Sequence, residues 1–493
     1  MSGDKTSGED NDTMQDTDNA AMLAVLERQR SVFTAARPEP LALRRDRLDR
    51  CSRLLKDNAE QLAAAMSADF GHRSRDQSMI VDILPSLGLL DYCRKHLSQW
   101  AKSDRRRTIF PLGLLGGKAS VRYEPKGVVG IVSPWNFPVM LSFGPLAQAL
   151  AAGNRAMIKP SEYTERTSAL MAELFARHFA EDEVAVITGG PQTGQDFCAL
   201  PFDHLLFTGA TSVGRHVLHA AADNLVPVTL ELGGKSPAII GAGADIARAG
   251  ERIALGKMLN AGQICLAPDY MLVPEALEDQ AIAAVTAGVT AMYPTLLAND
   301  DYASVINRRH RDRLVDIVED ARAKGAEVIE VNPAGEDFTG TNGNKLPLTI
   351  LRNVTADMKA MQDEIFGPVL PVKTYRSIDE AIDYVNAHDR PLGLYWFGQD
   401  RAEQERVLSR TLSGGVTIND VLFHISMDDL PFGGVGPSGM GSYHGVEGFR
   451  TFSHARAVYR QPGLDIAGMA GIKPPYGKAA AKAIAKAMGR PTG

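Results

Sequence analysis

Between Gly127 and Leu232 short apolar runs alternate with amphipathic segments, and this alternation constrains the fold more than any other feature of the chain. Gly127–Ser133, Ala156–Lys159, Glu183–Thr188, His204–Thr208 and Val226–Leu232 read as strands. Pro145–Ala152, Thr167–Ala180 and Thr211–Asn224 read as the helices between them. Repeated strand–helix units of this length predict a parallel, doubly wound sheet. The pattern returns further on. Ala242–Met258, Glu278–Met292, Arg309–Lys324 and Ser377–Asn386 read as helices, and Tyr270–Val273 and Gly414–Ile418 as strands, so a second α/β domain follows the first. Before the alternation, Met22–Asp69 reads as two helices joined near Pro38 and Pro40, with a further helix over Met79–Leu97. Residues 104–125 read as a hairpin around a Gly turn. A hairpin cannot bury its own face, so it should lie against something else, such as a neighbouring subunit.

Composition excludes several classes. Lys and Arg number 53 against 59 Asp and Glu, a net charge of −6, so no basic excess recommends a nucleic-acid partner. Four cysteines, Cys51, Cys93, Cys198 and Cys265, form neither a CxxC pair nor a zinc-spaced cluster; they suit the reducing cytoplasm, and no metal site is expected. The longest apolar run, Ala281–Tyr293, is shorter than the ~18 residues a membrane span needs. Residues 1–20 read as a disordered acidic tail rather than a signal peptide. In the C-terminal tail, 462–493, Lys478, Lys482 and Lys486 share one helical face, read as a short solvated helix or a contact for an acidic surface.

Four stretches carry chemistry, each open to a plainer reading. Phe207-Thr-Gly-Ala-Thr-Ser-Val-Gly214 lies at a strand-to-helix junction, where glycines and a helix N-terminus suit a phosphate; an ordinary turn is the alternative. Glu231-Leu-Gly-Gly-Lys-Ser-Pro237 contains Gly-Lys-Ser, but Thr229 stands where a P-loop needs glycine. What remains is Glu231 at the end of a buried strand, either a paired structural charge or a general base. Cys265, in Asn-Ala-Gly-Gln-Ile-Cys, is a nucleophile or inert packing. Asn136, in Ser133-Pro-Trp-Asn-Phe-Pro138, is an oxyanion donor or part of a rigid turn.

Taken in order, PWNFP, KPSE (Lys159–Glu162), FTGATSVG, ELGGKSP, GQIC, EIFGPV (Glu364–Val369) and PFGGVGPSG (Pro431–Gly439) resemble the aldehyde dehydrogenase superfamily over about residues 22–460. GQICLAPDY, and NDVLFH ahead of PFGGVGPSGMGSYHG, are similar to its class 3 branch, and within it to the coniferyl aldehyde dehydrogenases.

The resemblance implies a doubly wound NAD-binding domain (21–103 and 126–231), a catalytic α/β domain (232–420), and a β oligomerisation element (104–125 and 421–461). It implies that Cys265 attacks an aldehyde, that the oxyanion is met by the Asn136 side chain and the Cys265 N–H, and that Glu231 activates the water that hydrolyses the thioester. Cofactor contacts implied are Ser133, Trp135, Lys159, Glu162, Gly209, Ser212, Leu232, Gly233, Glu364 and Phe366. Glu162 on the adenosine ribose favours NAD, with NADP use open because Lys159 is near. The substrate implied is a coniferyl-type or other aromatic aldehyde, the alternative being a medium- or long-chain aliphatic one. Its tunnel is expected from Asn419–His424, Trp135 and Tyr92. A homodimer is implied. Rival readings are hydride transfer without a thiol intermediate, a cofactor-free thiol hydrolase, and a non-catalytic relative of the fold.

Overall fold

A computed structural model describes residues 16–339, 343–469 and 471–490. The alternation after Gly127 builds a six-stranded sheet, in the order Gly439–Met440, Val228–Leu232, His204–Gly209, Val128–Val132, Arg155–Lys159, Val184–Val186. All pairs are parallel except the two-residue edge strand, where Gly439 faces Glu231. Chain order reverses between His204–Gly209 and Val128–Val132. Open α/β sheets bind ligands outside the carboxyl ends of their strands at such a reversal.

The second sheet has seven strands: Glu327–Val331, Leu348–Arg352, Val369–Tyr375, Tyr270–Pro274, Pro237–Ile240, Gly393–Phe397 and Gly415–Ile418. Its first pair is antiparallel and the others parallel. The sequence reading reaches only two of these strands. Pro237–Ile240 and Gly393–Phe397 are buried along their whole length, so they show no alternation to detect.

The expected hairpin forms, Asp104–Arg106 pairing antiparallel with Lys118–Pro125, and Ser453–Arg460 adds a third strand. The stretch 421–461 does not act as one unit with it: Gly439–Met440 extends the first sheet, and Gly445–Thr451 is a helix. The N-terminal region makes three helices rather than two, Asn19–Ala35, Leu41–Asp57 and Ala59–Asp69. Asn58 causes the extra break, its side-chain amide donating to the Leu54 carbonyl at 2.8 Å and ending the second helix. Residues 1–15 of the acidic tail lie outside the described residues, but 16–20 are not tail. Asp16 accepts from the Gly190 N–H at 2.7 Å, and Asp18 caps the first helix through the Ala21 N–H. Lys478–Ala487 is helical, as its spacing suggested.

Candidate active site

A cavity of about 680 Å³ opens where the first two sheets meet. Cys265, Glu231 and Asn136 all line it, together with Trp135, Gly209, Ser212, Leu232, Gly233, Glu364 and Phe366. Ser133, Lys159 and Glu162 do not. The Ser133 hydroxyl shares a 2.7 Å hydrogen bond with Ser142, and the Lys159 ammonium donates to the Pro160 carbonyl at 2.8 Å; both residues are buried. Tyr92 is likewise outside this cavity, its hydroxyl donating to Asp429 at 2.6 Å, and so is Asn419–His424.

Asn136 stands in the Pro-locked loop after Val128–Val132 and is buried. One side-chain N–H donates to the Gln263 carbonyl at 3.1 Å. A primary amide carries two N–H donors, which leaves the second for a ligand. The backbone carbonyl of Asn136 accepts from Arg73 at 3.1 Å and from the Asn260 amide at 3.2 Å, fixing the loop from below.

Cys265 follows a tight reversal in which Asn260, Ala261 and Gly262 have φ of 50°, 53° and 73°. Consecutive left-handed residues are costly outside glycine, so the run needs outside support. Gln77 provides it, accepting from the Asn260 N–H at 3.1 Å and donating to the Asn260 side-chain oxygen at 3.2 Å. At Gly262 a Cβ would lie 2.5 Å from the Gly367 carbonyl, so only glycine fits. Cys265 keeps an opening to the cavity. Desolvation by its packing, then the negative fields of Glu364 and Glu231, push its thiol up to about 12.

Glu231 ends the strand Val228–Leu232 and is 2% exposed, with neither carboxylate oxygen hydrogen-bonded. Burial alone holds it well above the usual carboxylate range, so the charge is not a paired structural one. Glu364 is pushed up to about 8, first by burial and then by Asp269; the Gly234 N–H, Lys235 and Arg313 oppose the shift. Phe366 takes φ of 51°, and its ring meets Trp135 edge-on at 5.3 Å.

The cavity fits a dinucleotide. Thr211–Asp223 begins at Ala210 with no side-chain cap, so its first N–H groups are free toward the wall formed by Gly209 and Ser212. At Gly233 a Cβ would lie 1.9 Å from Glu364 Oε2, so the bare glycine gives this carboxylate its place, and Glu364 Oε1 has no hydrogen-bond partner among the described residues.

Sequence reasoning missed several lining residues, among them Arg215, Lys235, His310, Arg313 and Arg390. Arg215 was within reach, three residues past Ser212 on the same helix and hence on the same face. His310 sits in a basic run with no period to single it out. Burial, then Arg313 and Arg309, hold it down to about 4, and its ring lies 5.2 Å from Trp135.

The chain is similar to known proteins over most of its length. The chain is 55% identical over 95% of its length, and 97% of the relative's, to a protein of Caulobacter vibrioides named "probable coniferyl aldehyde dehydrogenase". It is 52% identical over 92% of its length, and 94% of the relative's, to the coniferyl aldehyde dehydrogenase of a Pseudomonas species. The solved aldehyde dehydrogenase of Mycobacterium tuberculosis complexed with NAD+ superposes with a TM-score of 0.81 at 28% identity, covering 92% of each chain. The family model for the aldehyde dehydrogenase family matches residues 4–458, and on that match the chain belongs to this family and is an NAD(P)-dependent aldehyde dehydrogenase.

Proposed function

We propose that the enzyme oxidises a coniferyl-type or other aromatic aldehyde to its carboxylic acid, with NAD as the first cofactor and NADP as a second. The observation that carries the reaction is that Cys265, Glu231 and Asn136 line one cavity. The names of the two relatives at 55% and 52% identity support the aromatic substrate.

In this reading the Cys265 thiolate adds to the aldehyde carbon, making a thiohemiacetal. The free N–H of the Asn136 amide and the Cys265 backbone N–H meet the oxygen as it gains charge. The helix N-terminus at Gly209–Ser212 and Glu364 would hold NAD, which would accept the hydride that the thiohemiacetal carbon loses on becoming a thioester. Glu231 then takes a proton from water as that water attacks the thioester carbonyl, which releases the acid and returns the thiol. Burial raises its proton affinity above that of an ordinary carboxylate, which makes it a stronger base once ionised. Lys159 and Glu162 serve the adenosine ribose in this reading, outside the cavity described. Residues 21–103 and 126–231 form the cofactor domain in this scheme and 232–420 the catalytic one. We also place the working enzyme in the cytoplasm as a homodimer; four unpaired cysteines suit that compartment, while no described helix is long and apolar enough to cross a membrane.

The test compares coniferaldehyde, benzaldehyde and hexanal with NAD and then NADP, identifying each product acid by mass. Coniferaldehyde is expected to give the highest kcat/KM. If hexanal leads, the aromatic assignment falls; if no aldehyde reacts, the reading of the site falls with it.

A further inference from the structure

Three segments carry the proposed chemistry: Val228–Leu232 with Glu231, the reversal before Cys265, and the loop with Glu364. They come from distant parts of the chain, and something must set their mutual register. The structure assigns that task to the ion pair of Lys235 and Asp269. Lys235 lies four residues past Glu231, and Asp269 four residues past Cys265. The two meet in a short contact, with 14% and 3% of their side chains exposed.

Both then reach the third segment. The Lys235 ammonium also donates to the Ala360 carbonyl at 2.7 Å and the Asp363 carbonyl at 3.0 Å. The other oxygen of Asp269, Oδ1, accepts from the Ile365 N–H at 2.8 Å. The backbone is therefore gripped on both sides of Glu364, at 363 and at 365. Arg313 adds a third hold from the helix Arg308–Ala323, donating to the Glu364 carbonyl at 3.3 Å and to that of Ile365. The carboxylate so placed lies against Gly233 and takes the Gly234 N–H, the two residues immediately before Lys235.

This is more than a neutral fastening. A buried pair that satisfies three backbone groups fixes geometry without adding much net stability, because desolvation offsets most of the attraction. An active site needs its groups held to within ~0.5 Å, and that precision is what such a pair provides. We propose that Lys235 and Asp269 are positioning residues that set where the Glu364 carboxylate stands. They thereby control cofactor affinity and the rate of hydride loss, leaving aldehyde binding alone. The proposal rests on the reading that Glu364 meets the nicotinamide ribose.

The test uses the full-length enzyme with Lys235→Met, Lys235→Arg, Asp269→Asn and Glu364→Gln. NAD affinity is read by calorimetry and KM for each substrate by steady-state kinetics, with the thermal midpoint alongside. Lys235→Met is expected to weaken NAD binding tenfold or more and to lower kcat, with KM for the aldehyde within twofold of the parent. Lys235→Arg, which keeps the charge, is expected to recover most of both. Asp269→Asn keeps an acceptor for the Ile365 N–H but loses the charge, and serves if Lys235→Met does not fold. A folded Lys235→Met with NAD affinity and kcat within twofold of the parent overturns the proposal. So does an equal loss in both KM values together with the thermal midpoint, which a merely structural role would give. If Glu364→Gln leaves NAD affinity untouched, the reading beneath the proposal fails instead.

Discussion

At the scale of single residues, burial raises the proton affinity of both Cys265 and Glu231. Glu364 and Glu231 add to the shift at Cys265, whereas at Glu231 burial is the cause, and neither of its carboxylate oxygens has a hydrogen-bond partner among the described residues. With its thiol pushed up to about 12, the fraction of Cys265 thiolate is small at pH 7 and grows tenfold per pH unit. Iodoacetamide labelling of Cys265 in the free enzyme should follow that slope from pH 7 to pH 10 without a plateau, with modified peptide read by mass. A plateau near pH 8 would show that a nearby cation stabilises the thiolate. Glu231 gives a stability prediction with a definite sign. Its folded proton affinity lies above the ordinary value of 4.5, so its ionisation destabilises the fold as pH rises from there toward the folded pKa. Each tenfold gap in proton affinity is worth ~1.4 kcal/mol. Glu231→Gln should therefore raise the thermal midpoint, with a gain that widens as pH rises above 4.5. Of the proposed site residues, Cys265, Glu231 and Asn136 were legible only through the ordered set of motifs and the family resemblance it carries, since each motif alone admitted a plainer reading. Lys235, Asp269 and Arg313 were not. They act through backbone atoms of a loop far along the chain, and no local pattern encodes such contacts.

At the scale of elements, the loop carrying Asn136 is supported by a buried ion pair. Arg73 lies 3.2 Å from Asp82, and neither side chain is exposed. Arg73 also lies over the rings of Phe70 and Phe137, while Asp82 accepts from the Met140 N–H where the next helix begins. Burial raises Asp82 to about 6 even against the opposing field of Arg73. Removing one member of such a pair strands the other charge and costs ~3–5 kcal/mol. Arg73→Met should show that loss in urea unfolding, and kcat should fall as well because the Asn136 carbonyl loses its donor. An unchanged kcat would mean that Asn260 alone holds the loop. The strands on which this loop hangs could be read ahead of the structure because their β-branched runs end in Gly and Pro. Leu348–Arg352 and Val369–Tyr375 were missed, since burial on both faces removes the period-two signal.

At the scale of the whole molecule, the three-stranded sheet poses a question that one chain does not answer. Lys118–Pro125 is covered on both edges, but among the described residues Ser453–Arg460 pairs on one side only, and seven of its eight residues are exposed. Val458 is 37% exposed and Tyr459 48%. A long exposed edge with apolar side chains is a template for another strand, and natural proteins blunt or cover it. Arg456, Arg460 and His454 leave the edge soluble while its backbone groups stay available. In the proposed homodimer a second copy of this chain would make the two edges equivalent and close the assembly by two-fold symmetry. Light scattering should therefore give about twice the chain mass of 53.1 kDa at micromolar concentration. Val458→Glu, which places two charges on the symmetry-related strands, should shift the enzyme toward the monomer while leaving the cavity, which this residue does not line, intact. A single-chain mass for the parent enzyme across the accessible concentration range would leave the edge strand without a partner and remove the dimer from the proposal.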